Sequence, residues 1–212
     1  MVGREDRPLA VIPVYFDYAS TLCFVAWRAV APLETRLDVM LRWLPVHIAA
    51  QSAAITPGTA IPPEVRDRVQ RVAADLGVAV RVPERWLDSR AALEGAVFAD
   101  RAGRARAYHE GLFRAIYEAG QDLADRRTLV RVAGEVGLPI GTFMEFIATR
   151  KGAPQLAANA GDARQRGVAG YPAFLLGDCP LTGIQSPETM EMLVGRHLAR
   201  VREGAGRCGG GG

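Results

Sequence analysis

The chain predicts an α/β fold in which a parallel sheet begins, gives way to a long helical stretch, and is closed by a hairpin and a last helix. Three observations predict it. Residues 11–17 and 39–44 are short apolar runs joined by a helix-length segment, and strand, crossover helix, strand make a βαβ unit with parallel strands and a right-handed crossover. From about residue 52 to 150 the apolar residues fall at helical spacing, with a strand candidate only at 78–82. Strand character then returns at residues 173–176 and 181–182.

The elements follow in order. The first strand tolerates Pro13 only near its start. Residues 23–37 fit one helix of about four turns, and Pro45 closes the second strand. Pro57, Gly58, Pro62 and Pro63 mark a loop. Val65, Val69, Val72 and Leu76 then line one face of a helix over 64–76. Helices over 88–102 and 104–119 follow, the second with Tyr108, Leu112, Ala115 and Ile116 on a face. Asp125 or Thr128 caps the next, Gly137 ends it, and Pro139 opens another reaching residue 150. A helix over 154–166 precedes the strand Ala173-Phe174-Leu175-Leu176, the turn Gly177-Asp178-Cys179-Pro180 and the short strand Leu181-Thr182. Pro187 starts the last helix.

A thioredoxin-like fold with an inserted all-helical domain satisfies this order economically. Its sheet domain takes residues 9–52 and 151–203, its helical insertion residues 53–150, and a flexible glycine-rich tail residues 204–212.

Hydrophobic residues make up 49% of the 212 and charged ones 23%, which supports a sizeable core and excludes a disordered chain. Formal net charge is only +3, and Lys151 is the sole lysine. The arginines alternate with acids without a basic stripe, so they read as solvated helix faces and not as a nucleic-acid surface. No run approaches the ~18 apolar residues of a membrane span. Residues 1–7 have no secretory apolar core, which points to a cytoplasmic protein. Cys23, Cys179 and Cys208 are too sparse for a secreted disulfide framework.

Chemistry concentrates at Ser20-Thr21-Leu22-Cys23, directly behind the first strand and at the start of a helix. This is the layout of a Cys-x-x-Cys redox motif with serine in place of the first cysteine. Backbone N–H groups at a helix start lack intrahelical partners and the macrodipole there is positive, so a thiolate is stabilised. Ser20 has no base nearby in sequence, so it is not read as an attacking group, and it also suits a plain N-cap. Cys23, one turn inside, suits either a small core residue or a redox-active thiol. Asp17 serves equally as a lining group or as a turn former. His47 fits a surface loop better than a proton carrier. His109 and His197 have no second ligand at metal spacing, so no metal site is expected. The turn Asp17-Tyr18-Ala19-Ser20 lacks the glycines of a dinucleotide fingerprint. Trp27, Trp43 and Trp86 read as core.

The stretch from Phe16 to Ala26, with Ser20-Thr21-Leu22-Cys23 at its centre, resembles the active-site segment of the DsbA-like thioredoxin superfamily. The serine-first branch of that group includes 2-hydroxychromene-2-carboxylate isomerases and kappa-class glutathione transferases. Arg164-Gln165-Arg166-Gly167-Val168-Ala169-Gly170-Tyr171-Pro172-Ala173-Phe174 is similar to its cis-proline segment, and Gly183-Ile184-Gln185-Ser186-Pro187-Glu188 resembles a turn of FrnE-like DsbA members. With Trp43-Leu44-Pro45 the similarity covers residues 10–203. Thr21 stands where the branch usually has proline, and residues 183–186 do not match the Gly-Asn/Ser-Asp-Arg turn of its glutathione users.

The resemblance implies a catalytic pair, Ser20 and Cys23, and binding of substrate or glutathione by Tyr18, Tyr171, Pro172 and Gln185. Tyr171-Pro172 would be cis and would present the Tyr171 backbone to a cysteinyl peptide or glutathione. Cys179 would lie roughly 16 Å from residue 20 along the strand after Pro172, beyond the ~7 Å between disulfide Cα atoms. The implied activity is that of a DsbA-family oxidoreductase acting on thiols with glutathione. The alternatives are a glutathione-dependent isomerase or transferase, an oxidoreductase using Cys23 alone, and a redox-inactive binding module. The implied partners are a small-molecule thiol or aromatic substrate, with a homodimer allowed and neither nucleic acid nor membrane.

Overall fold

The computed structural model describes residues 10–204. Cys208 and all but the first residue of the expected flexible tail lie outside the described residues. Strand β1 (Ala10–Phe16) leads through helix α1 (Thr21–Leu37) to β2 (Val39–Pro45). Five helices follow: α2 (Pro63–Asp75), α3 (Arg90–Arg101), α4 (Ala105–Tyr117), α5 (Arg126–Glu135) and α6 (Ile140–Ala148). The chain then returns through α7 (Ala153–Gln165), β3 (Ala173–Leu176), β4 (Cys179–Thr182) and α8 (Pro187–Arg202).

The sheet runs in the order β2-β1-β3-β4. β2 is parallel to β1, while β3 is antiparallel to both β1 and β4. Pro13 sits in mid-strand rather than near the start, and is tolerated because β3 pairs with β1 only at Val14 and Tyr15. The expected four-residue turn after β3 is shorter. Leu176 pairs with Cys179, so Gly177-Asp178 is a two-residue hairpin loop with Gly177 at φ 71°. β4 is thereby longer than expected and carries Pro180 on the sheet edge, where no ladder bond is lost outward.

Residues 78–82 are not a strand. They pass along helix ends instead of another strand, the Val78 N–H donating to the Ala73 carbonyl and the Arg81 N–H to that of Tyr117.

Side chains alternate across the pleat and so define two layers. Ile12, Val14 and Phe174 pack with Val30 and Leu33 of α1 and Val194 of α8. On the opposite face Tyr15, Ala173 and Leu175 pack with Ala163 of α7. The largest core joins the end of β1 and the start of α1 to the central helices: Phe16, Cys23 and Phe24 bury against Leu93, Phe113 and Phe143. The segment bearing Ser20 is therefore clamped between the sheet and the helical layer. Among the described residues no helix is long and apolar enough to cross a membrane.

Candidate active site

Ser20 is the N-cap residue of α1, extended at φ −91° and ψ 110°, and its side chain makes no capping hydrogen bond. The Cys23 N–H donates to the Ser20 carbonyl at 2.9 Å. The N–H groups of Thr21 and Leu22 have no partner among the described residues, which is the exposed positive end of a 17-residue helix.

Asp17 shapes this turn from beneath. It is fully buried, and its carboxylate accepts from the Ala19 N–H and the Ile48 N–H, each at 2.8 Å. Its carbonyl accepts from the Ser20 N–H at 3.1 Å. Burial holds the carboxyl above its ordinary range, opposed by the Ser89 hydroxyl, those two N–H groups and His47. Asp17 is therefore a turn former tying the α1 entry to the loop after β2. His47 is half-buried at that loop, not on an open surface, and its Nε2 is buried without a partner among the described residues.

A mainly apolar cavity of about 510 Å³ opens over the α1 N-terminus. Ser20, Thr21 and Leu22 form one wall, Tyr171 and Gly170 a second, and Val65 and Val69 of α2 a third, with Trp86 completing the lining. Tyr171 is half-buried, and its hydroxyl donates to Gln51 Oε1 at 3.2 Å. Burial raises its phenol pKa, so it stays neutral. The Tyr171–Pro172 bond is cis. The Pro172 carbonyl accepts from the Gly183 N–H at 2.7 Å, whereas the Tyr171 N–H and C=O have no partner among the described residues.

The expected site residues thus divide. Ser20 and Tyr171 meet at the cavity, with Pro172 buried behind them. Cys23 does not join them. It is a free, fully buried cysteine inside the largest core. Burial pushes its thiol up to about 12, outweighing the Ser20 hydroxyl and the Asp17 backbone that favour the thiolate.

Tyr18, expected at the site, points into the core. Its hydroxyl lies 2.6 Å from His109 Nδ1. Burial lowers the His109 pKa to about 3, so the ring is neutral and shares one hydrogen bond with the neutral tyrosine hydroxyl. Gln185 is exposed in the loop before α8 and does not line the cavity. It sits beyond the turn at Gly183, outside the wall made by Tyr171.

Two readings of residue type also change. Trp86 lines the cavity, as do Arg66, Arg68 and Arg164, so not every tryptophan is core and not every arginine is a solvated face. The signal for Arg66 and Arg68 was their place beside the Val65 and Val69 stripe of one helix. Among the described residues no three His, Cys, Asp or Glu side chains gather as a metal site.

A family profile described as the DSBA-like thioredoxin domain matches residues 11–195. The chain belongs to this family. The 2-hydroxychromene-2-carboxylate isomerase of Sphingobium xenophagum is 27% identical over 175 residues, spanning 79% of this chain and 89% of that protein. Among solved structures, a 2-hydroxychromene-2-carboxylate isomerase superposes with a TM-score of 0.74 at 21% identity, covering 92% of this chain and 98% of that one. The cytosolic disulfide reductase DsbM of Pseudomonas aeruginosa with GSH superposes at 0.64 and 16% identity, with the same coverages. The family contains isomerase and oxidoreductase members, and the neighbours share the fold.

Proposed function

We propose that the protein is a glutathione-dependent enzyme of the isomerase or transferase kind, in which the ligand's sulfur, held over the α1 N-terminus, is the nucleophile. One contrast carries this reading. Ser20 faces the cavity, while Cys23, the only cysteine of the motif, is buried with its thiol pushed up to about 12. A protein thiolate at Cys23 would need the core opened, so a working thiolate at this site arrives with a ligand. The Ser20 hydroxyl and the free Thr21 and Leu22 N–H groups are donors for it, and the unpaired Tyr171 backbone is suited to an added peptide strand. Such a thiolate adds to a π-bonded electrophilic carbon of a second substrate, forming a C–S bond. The π bond breaks as it forms, and its electron pair moves to the conjugated neighbour, which takes a proton from water. The sulfur then either remains in a transfer product or is expelled again with its electron pair after isomerisation. Neither route exchanges electrons with the protein. The 27% identical isomerase and the disulfide reductase crystallised with GSH support glutathione as the thiol. A reducing, glutathione-containing cytoplasm suits this reading.

The test is glutathione titration followed by calorimetry and by thiolate absorbance. The bound thiol should ionise at lower pH than free glutathione, and Ser20→Ala should cut turnover with an aromatic electrophile by about tenfold or more, the effect of losing one charge-assisted hydrogen bond. Saturable binding without turnover would leave a binding module. Turnover lost in Cys23→Ala but intact in Ser20→Ala would transfer the role to Cys23.

A further inference from the structure

The same cavity has a second polar end. Three arginines line it, Arg66 and Arg68 from α2 and Arg164 from the end of α7, and no Asp or Glu does. None of the three has a carboxylate partner among the described residues. Arginines elsewhere do, as with Arg114 and Glu118, Arg131 and Glu135, and Arg166 and Asp162, each one helical turn apart. Arg66 is half-buried and its Nε is buried with no hydrogen-bond partner among the described residues. A buried guanidinium N–H without an acceptor is unfavourable, and an anion would relieve it.

We infer that the α2 side of the cavity binds the carboxylate of an apolar acid, with Arg66 and Arg68 as the residues that select it. Arg66 and Arg68 flank Val65 and Val69 on one face of α2, so two guanidinium groups border an apolar strip. Val82 and the flat ring of Trp86 extend that strip, matching an alkyl or aryl body attached to the acid. Arg164 belongs to the other end. Its charge acts on the Tyr171 hydroxyl, which places it beside the Tyr171 wall. The cavity thus offers one cationic end for a thiol ligand and another for an apolar acid. That this acid is the second substrate rests on the thiolate reading; that it binds does not.

The experiment uses full-length protein without glutathione and two matched probes, naphthalene-2-carboxylate and its neutral carboxamide, titrated by calorimetry. The acid should bind at least about tenfold more tightly than the amide, the discrimination expected from charge-assisted hydrogen bonds in a partly desolvated site. Arg66→Gln and Arg68→Gln should each lower acid affinity several-fold and leave amide affinity unchanged, the amide reporting that the cavity is still folded. Equal binding of acid and amide, no binding of the acid, or an acid preference that survives Arg66→Gln overturns the inference. If the acid preference holds while glutathione fails to bind over Ser20, only the thiolate reading falls.

Discussion

The Tyr117 hydroxyl donates a 2.6 Å hydrogen bond to the backbone carbonyl of Tyr18, a residue 99 positions away. Tyr117 closes α4, and Tyr18 lies in the turn that delivers Ser20 to the cavity. The helical layer therefore holds the turn before Ser20 by its backbone, while Asp17 holds it by its side chain. Both anchors are buried.

Tyr117→Phe isolates this bond, because the ring stacked on Phe24 at 5.0 Å between centroids is kept. Leaving the Tyr18 carbonyl buried and unpaired should lower stability by about 1–3 kcal/mol in urea titration. Hydrogen exchange should accelerate at the Ala19 and Ser20 amides. Unchanged exchange there would show that Asp17 alone holds the turn.

Cys23 should behave as a core residue. With its thiol pushed up to about 12, iodoacetamide at pH near 8 should leave it unmodified in the native protein and label it in urea, read by peptide mapping. Cys23→Ala should lower stability by about 1 kcal/mol for the small cavity left and keep glutathione-dependent turnover within twofold. Rapid native labelling of Cys23 would reverse this assignment.

His109 should make the protein acid-sensitive. Its pKa is lowered to about 3 by burial, against an ordinary 6.5. Between those values the unfolded chain binds the proton and the folded one does not. Its contribution is therefore fully present above pH 6.5 and is lost as pH falls towards about 3. Urea midpoints should fall across that window, with up to about 1.4 kcal/mol per pH unit from this residue. His109→Gln should flatten the slope, and a variant keeping the parent slope would assign the acid sensitivity to other groups.

Much of the fold was legible locally. Helix caps and breakers such as Asp125, Gly137 and Pro187 marked element ends within a residue or two, because each acts through the backbone of its own turn. The segment 78–82 was not legible, since a strand needs a neighbour and its apolar residues found helix ends instead. At the site, Ser20, Tyr171 and Pro172 were recognisable from their motifs. Tyr18 and Gln185 were misplaced because the direction of a side chain in a turn depends on what packs around it. Arg66, Arg68 and Trp86 carried only a faint signal, each residing on elements that reach the cavity from far along the chain.

The order of strands and helices, and the presence of one serine and one cysteine at the start of α1, could be read from the chain alone, because propensity, periodicity and motif spacing are local properties. Long-range packing is what turns Ser20 to a cavity while Cys23, three residues on, is enclosed with Phe24, Phe113 and residues of the central helices. The reason is desolvation. Burial, a property of the assembled core, sets whether a thiol can ionise, and it leaves the motif with unpaired backbone donors at the start of α1 but no accessible thiol of its own.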